Sequence, residues 1–348
     1  MAKKKLRVAF IGAGGIAGAH MNYLSKMEDV ELVAAADVVL ENVEKRCEEF
    51  SIGEAFTDYK KMLKSVKPDA VSVCTPNGMH APCSIDALNA GAHVIVEKPL
   101  AMNAREGKRM LAAAKKNRRK LVIGFQYRFD SKTSFIKNAV DRGQLGNVLY
   151  ARVHALRRRG IPNWGVFGRK DLQGGGPMID IGVHALEMTH FVMGSPKPVA
   201  ASGSIYTYLG NKRSDVISQW PNWDHKSYTV EDLAVGLIRF DNGATLHLEA
   251  SFAAHIEKEA WNFTIMGEKG GASWDPPGLF SDENDYMVNT KPHWLPNEDA
   301  FQSKMRNFVD HVLYNKPTVA PGEHGLMVQK MLDGIYNSAE KGKEVVIK

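Results

Sequence analysis

Residues 6–20 read "LRVAFIGAGGIAGAH". The opening "LRVAFIG" is an almost continuous apolar run, the composition of a strand buried on both faces of a parallel sheet. It breaks at once into Gly12-x-Gly14-x-x-Ala17, and a helix is expected to follow over about 15–27. Gly12 permits a tight turn, and Gly14 lets the backbone come close to a ligand. Ala17 is small enough for helix–strand packing, and Gly15 and Ile16 complete the loop. The helix N-terminus behind such a loop favours a pyrophosphate. A glycine loop after a strand marks a turn as readily as a site, so its surroundings must decide.

Those surroundings repeat the strand–helix alternation. Strands are expected at 31–37, 70–76, 93–99 and 121–127, with helices near 79–90 and 103–117. The last of these starts on Asn103 with Glu106 three residues on, a capping-box arrangement with Asn as the cap. The pattern predicts an α/β fold, a doubly wound parallel sheet of the Rossmann type, over residues 1–127. Asp37 ends the second strand, where a carboxylate accepts hydrogen bonds from ribose hydroxyls and repels a 2′-phosphate. The "VVLENVEK" that follows puts no arginine next to it, so NAD is expected rather than NADP. Ligands in this architecture lie at the carboxyl edge of the sheet. That edge is reached by Thr75, Pro76, Asn77 and His80 of "CTPNGMH", by Glu97 and Lys98 of "HVIVEKP", and by Gln126.

Beyond residue 128 the texture changes. Long strands at 147–158, 197–208, 230–240, 244–253 and 260–267 are joined in one place by the hairpin turn "DNG" (241–243). Helices are expected at 131–142, 178–193, 298–314 and 322–341, and 209–228 reads as a long loop. Residues 128–348 are therefore expected to form an α+β substrate domain with a large, mainly antiparallel, open-faced sheet. An open amphipathic sheet needs cover, so a homodimer or homotetramer is expected.

Other classes recede on composition. No apolar run is long enough for a membrane span. The three cysteines, Cys47, Cys74 and Cys83, suit reduced thiols in a cytoplasmic protein. The net charge of +6 comes from short lysine and arginine clusters with no aromatic interleaving, against nucleic-acid binding.

Two constellations carry chemistry. Lys98 ends a strand at the nicotinamide end of the expected crevice, where an amine can hydrogen-bond a substrate hydroxyl or shuttle its proton. In "GGGPMIDIGVHALEMTH" (174–190), Asp180 and His184 stand four apart on one helix face. The aspartate can orient the imidazole, which can act as general base at neutral pH. Glu187 and His190 extend that face, but with no partner segment they are poor evidence for a metal, and none is expected.

Together, the glycine motif, "EKP" and "GGGPMIDIGVH" resemble the glucose–fructose oxidoreductase, inositol dehydrogenase and rhizopine-catabolism (Gfo/Idh/MocA) family over essentially the whole chain. That resemblance implies catalytic roles for Lys98, Asp180 and His184, and a sugar, polyol or glycoside as substrate. The stretch "ARVHALRRRGIPNWGVF" (151–167) and residues 228–252 look like the family's sugar and C-glycoside 3-oxidases. His154 and Arg158 fall on one strand face and, with Tyr127 and Arg128, are expected near the substrate. Trp164 is expected to stack on a sugar ring or on the nicotinamide. The resulting expectation is an NAD-dependent dehydrogenase of a ring hydroxyl, at C3. An NAD-dependent glycosidase, an inositol or anhydrosugar oxidoreductase and a non-catalytic NAD-binding regulator stand as alternatives.

Overall fold

A computed structural model of the chain describes residues 5–348 and divides into two compact units. The first comprises residues up to Phe129 together with Asp299–Leu326; the second comprises Asp130–Glu298 and Met327–Lys348. The sequence division at 127/128 did not foresee the return of 299–326 to the first unit.

In the first unit, β1 (Leu6–Ile11), α1 (Gly15–Leu24), β2 (Val30–Ala36), α2 (Leu40–Glu49), β3 (Glu54–Phe56) and α3 (Tyr59–Val66) form one half. The other half is β4 (Ala70–Val73), α4 (Asn77–Asn89), β5 (His93–Val96), α5 (Ala104–Asn117) and β6 (Leu121–Ile123). The six strands are parallel in the order 3-2-1-4-5-6, so strand order reverses between β1 and β4, where this architecture binds ligands. Continuous apolar strands follow from two-sided cover: Val8, Ala9 and Phe10 of β1 and Val94, Ile95 and Val96 of β5 are all fully buried. The expected cap of α5 forms. Asn103 Oδ1 accepts from Glu106 N at 3.0 Å, while Glu106 reaches back to Met102 N at 3.2 Å rather than to the cap residue itself.

The second unit opens with α6 (Ser131–Asp141), β7 (Val148–Leu156) and the short α7 (Lys170–Gln173). A π-helical turn, Met178–Gly182, then runs straight into α8 (Val183–Val192). The sheet continues with β8 (Pro198–Tyr206), β9 (Leu233–Phe240), β10 (Thr245–Ser251), β11 (Ala260–Gly267), β12 (Gly270–Ser273), β13 (Gly278–Glu283) and β14 (Tyr286–Thr290). After α9 (Ala300–Tyr314), which belongs to the first unit, come α10 (Gly322–Lys341) and β15 (Val345–Val346). The nine strands lie in the order 14-13-12-11-7-10-9-8-15, antiparallel except for the β7–β10 pair. Strand alternation sorts the two faces. Ala151, Val153, Ala155, Leu246, Leu248, Ala250, Phe263 and Ile265 are buried on the face that the π-helical turn and α8 pack against. Tyr150, Arg152, His154, Val235, Leu237, His247 and Glu249 point the other way and stay at least partly exposed.

Burial sets the acid response of the first unit. His20 is fully buried, and burial first and the Lys304 charge second lower its pKa from 6.5 to about 4. His93 and His324 are likewise lowered to about 4, by burial first and then by nearby lysine and arginine charges. A histidine lowered on folding is matched to its unfolded value above about 6.5 and loses stability as pH falls from there to its folded pKa. His20 alone costs about 1.4 kcal/mol per pH unit across that window. Urea midpoints measured at pH 7.5 and pH 5 should therefore drop sharply, and His20→Gln should flatten the drop. Equal midpoints at the two pH values would refute this account.

Candidate active site

The glycine loop is built for close approach. Gly12 has φ +94° and packs so tightly on β4 that an added Cβ would lie 2.6 Å from the Cys74 carbonyl oxygen. Added Cβ atoms on Gly14 and Gly15 would meet no described atom within 4 Å, which leaves open space before the N-terminus of α1. Ala17, inside that helix, is fully buried. Asp37 stands beside the loop: its carboxylate accepts from Ala13 N at 2.7 Å and Val39 N at 3.0 Å. Thr75 Oγ1, at the end of β4, is buried with no hydrogen-bond partner among the described residues. Pro76 and Asn77 follow at the start of α4. A cleared helix N-terminus, a carboxylate at the end of β2 and an orphaned hydroxyl at the switch point fit a dinucleotide.

One neighbour of this loop escaped the sequence reading. Arg46, nine residues past Asp37, donates from Nε to Ala13 O at 3.4 Å and pairs with Glu49 at 2.5 Å. Its guanidinium occupies the place where a side chain on Gly18 would lie. Arg46 directly follows the "VVLENVEK" stretch, and α2 carries it back to the loop.

Three expected contacts of this unit are taken up elsewhere. His80 is 1% exposed, with Nδ1 2.7 Å from Pro99 O and Nε2 2.9 Å from Thr75 O, so it braces the ends of β4 and β5. Arg128 is 3% exposed; Nη1 donates to Val319 O at 2.6 Å and lies 2.7 Å from His324 Nδ1. That spends its charge inside the unit, closed to a substrate. Glu97 turns inward to His20 and Lys304, away from the role of cofactor ligand expected of it. Burial alone would push its carboxyl up, but the Lys304 charge and the His20 hydrogen bond hold it well below the usual carboxylate range. Lys98, Gln126 and Tyr127 are half-buried, Lys98 just past β5 and the other two in a 3-10 turn after β6.

In the second unit, the turn and helix over Met178–Val192 are buried almost throughout. Asp180, His184 and Phe191 alone of these fifteen residues are not buried. The two polar members of that set are the pair expected from the sequence. Asp180 sits in the π-helical turn, an irregularity frequent at functional sites, and His184 in the α-helix after it. The His184 ring lies 6.5 Å from that of Trp261 on β11. Further along α8, His190 is consumed by packing, stacked on Phe240 with Nε2 2.8 Å from Pro196 O. Among the described residues no group of three or more His, Cys, Asp or Glu could hold a metal.

The turn's position is fixed from below by Glu231, which the sequence reading passed over. Its carboxylate accepts from Gly176 N at 3.0 Å, Met178 N at 3.2 Å and the Tyr336 hydroxyl at 2.8 Å. Burial pushes Glu231 up, while these donors pull it back. The tightness explains the glycines: a Cβ on Gly175 would fall 2.1 Å from Tyr336 Oη, and one on Gly176 2.3 Å from Glu231 O.

His154 and Arg158, expected near the substrate, are engaged elsewhere. His154 lies on the sheet face opposite α8, 3.4 Å from Glu249, so strand alternation carries it away from His184. Arg158 falls past the end of β7 and is held by Glu259 and the Glu257 carbonyl. Trp164 is 49% exposed and meets Trp220 edge-on at 4.8 Å, with Arg157 over the Trp220 ring at 5.0 Å.

Residues 6–125 match an oxidoreductase family with an NAD-binding Rossmann fold, and 137–347 match that family's C-terminal alpha/beta domain. The chain is 37% identical to the D-glucoside 3-dehydrogenase of Escherichia coli (strain K12), over 99% of this chain and 98% of that one. It is 26% identical to the myo-inositol 2-dehydrogenase of Thermotoga maritima, over 98% of each. Levoglucosan dehydrogenase in complex with NADH has the same fold, with a TM-score of 0.85 at 21% identity, over 99% of this chain and 100% of that one. The chain belongs to the Gfo/Idh/MocA oxidoreductase family.

Proposed function

We propose that the protein is an NAD-dependent dehydrogenase that oxidises the C3 hydroxyl of a glucose-like ring, a glycoside in preference to an inositol. The substrate class rests on one observation, the end-to-end likeness to a D-glucoside 3-dehydrogenase. The residue roles are supported by the selective accessibility of Asp180 and His184 on an otherwise buried segment.

Gly12, Gly14, Gly15, Ile16 and Ala17 would cradle the pyrophosphate, Asp37 the adenosine ribose, and Thr75 to Asn77 the stretch beyond. NAD, when bound, accepts the hydride released from the carbon under oxidation. His184 takes the hydroxyl proton, and Asp180 orients its ring. Lys98 holds and polarises the reacting oxygen. Neighbouring hydroxyls are held by Asp180 and Tyr127, and Trp164 offers a face for stacking.

Lys98→Ala and His184→Ala should each lower turnover by about 10²–10⁴-fold while NAD binding persists. With the unaltered enzyme, a glucoside should give net NADH, its 3-deoxy analogue none, and C3 deuterium should pass to NADH. Near-normal turnover in either variant would remove that residue's role; activity on the 3-deoxy sugar would end the C3 assignment.

Cofactor choice follows from Asp37. Fluorescence titration should show NAD binding well ahead of NADP, and Asp37→Ser should narrow the gap. Since Arg46 stands at the same loop, Asp37→Ser with Arg46→Ala should lose whatever NADP affinity the single change gains. Tighter NADP binding to the unaltered protein would contradict the assignment.

The partly exposed sheet face bearing Tyr150, Val235 and Leu237 supports self-association, as a homodimer or homotetramer. Light scattering at micromolar concentration should give a multiple of the chain mass; a monomer alone would refute it.

A further inference from the structure

A charged cluster lies sealed inside the first unit, next to the strand end that carries Lys98. Lys304 of α9 is 2% exposed, Glu97 6% and His20 of α1 0%. Lys304 Nζ donates to Glu97 Oε1 at 2.7 Å, across 207 residues of sequence, and lies 3.0 Å from His20 Nε2. That same ring nitrogen is 2.9 Å from Glu97 Oε1, and Nδ1 is 2.8 Å from Ser72 Oγ on β4. The Phe301 ring faces Nζ at 4.4 Å. The second carboxylate oxygen, Glu97 Oε2, accepts the backbone N–H of Lys98 at 3.3 Å. Space is reserved for the cluster, because a Cβ on Gly124 would lie 2.4 Å from Glu97 Oε1.

Burying an ion pair is a poor source of stability, since desolvation can exceed the attraction regained, and an apolar set of similar volume is often as stable. A buried pair with directed hydrogen bonds does fix geometry. This one ties together the helix that opens behind the glycine loop, the exit of β5 and a helix from late in the chain. We propose that Lys304 is a positioning residue for catalysis: by clamping Glu97 against His20 it sets the backbone from which Lys98 reaches the substrate. The inference rests on the reading of Lys98 as the group that holds the reacting oxygen.

The groups facing the clamp are His20 from α1, Ser72 and Cys74 from β4, and Glu97 and the Lys98 backbone from β5. Burial pushes the Cys74 thiol up to about 12, so it stays neutral, and His20 is neutral above about 4. In the unaltered protein Lys304 pairs with Glu97 and holds its carboxyl well below the usual carboxylate range, so the carboxylate stays ionised. Without Lys304 the buried carboxylate would have to share a proton with His20, and turnover would acquire a pH dependence additional to the parent's own.

The test uses the full chain with NAD and a glucoside, following NADH formation from pH 6 to 9, NAD binding by fluorescence and the urea midpoint. Lys304→Met should lower kcat by about 10–100-fold, the scale of a small misplacement of a reacting group. NAD affinity should hold within about threefold, and a new pH dependence should appear. Lys304→Arg keeps the charge and should recover part of kcat with the parental pH profile. The double variant Lys304→Met with Glu97→Gln removes both charges; it should regain stability but not kcat. If that double variant turned over like the parent while Lys98→Ala was inactive, the positioning role alone would fall. Full activity of Lys98→Ala would overturn both this inference and the reading under it. Should neither methionine variant fold, Lys304→Arg decides: a kcat more than about twofold below the parent at unchanged NAD affinity supports the clamp, and a parental kcat overturns it.

Discussion

A carboxylate can be buried only where hydrogen-bond donors or a cation meet its oxygens, because desolvation otherwise neutralises or expels it. Among the buried carboxylates of this protein, one in each unit lies directly against the backbone that carries a residue proposed for the chemistry. Glu97 is met by Lys304, His20 and the Lys98 amide. Glu231 is met by two amides of the loop that leads into Asp180 and by Tyr336. The two differ in how they are balanced. Glu97 faces a full positive charge, which holds it ionised despite burial. Glu231 faces neutral donors only, and burial keeps its proton affinity raised.

Glycine is the counterpart of each carboxylate. Gly124 leaves room for Glu97, and Gly175 and Gly176 leave room for Tyr336 and the Glu231 backbone. The triple glycine before the π-helical turn is thus as much a packing requirement as a loop signal. At the cofactor loop the logic is reversed: Gly12 is pressed against β4, whereas Gly14 and Gly15 leave their space open. Side-chain-free positions serve the fold in one case and a ligand in the other, which the letter G in a sequence does not distinguish.

That difference marks what was legible beforehand. Five of the six parallel strands followed from local signals: apolar runs four to seven long, the glycine loop and the Asn103 cap. The elements α2, β3 and α3, between residues 40 and 66, did not. The i, i+4 spacing of Asp180 and His184 was equally readable, since helical spacing is a local property, and both are left unburied on that segment. Contacts set by tertiary return were not. Arg128 and His80 carried the right chemistry near the right edge, yet neighbours distant in sequence, among them Val319, His324 and Pro99, absorbed it. His154 lies on the face away from α8, which was not readable, since alternation alone does not say which face a helix will cover. Lys304 did leave a trace. Phe301, Lys304, Met305, Phe308 and Val309 follow the i, i+3, i+4, i+7, i+8 stripe of a buried helix face. A lysine in that stripe signals a buried partner, but only the fold supplies Glu97.

The "EKP" stretch gathers these points. Read as sequence, its two charges look like a pair surfacing together at a strand end. In the structure they separate in environment. The Glu97 carboxylate is committed to the interior by a lysine and a histidine, while Lys98 remains half-buried at the carboxyl edge. A strand alternates its side chains, so neighbours at its end naturally part in this way. One residue can then be sacrificed to anchoring while the next is presented to a ligand. The anchoring residue must be charged to be held by directed bonds, and the cation that compensates it must come from elsewhere in the fold. Were Lys98 itself to supply that charge, it would be drawn inward, away from the carboxyl edge. Lys304 supplies it instead, so the adjacent acid and amine need not neutralise each other.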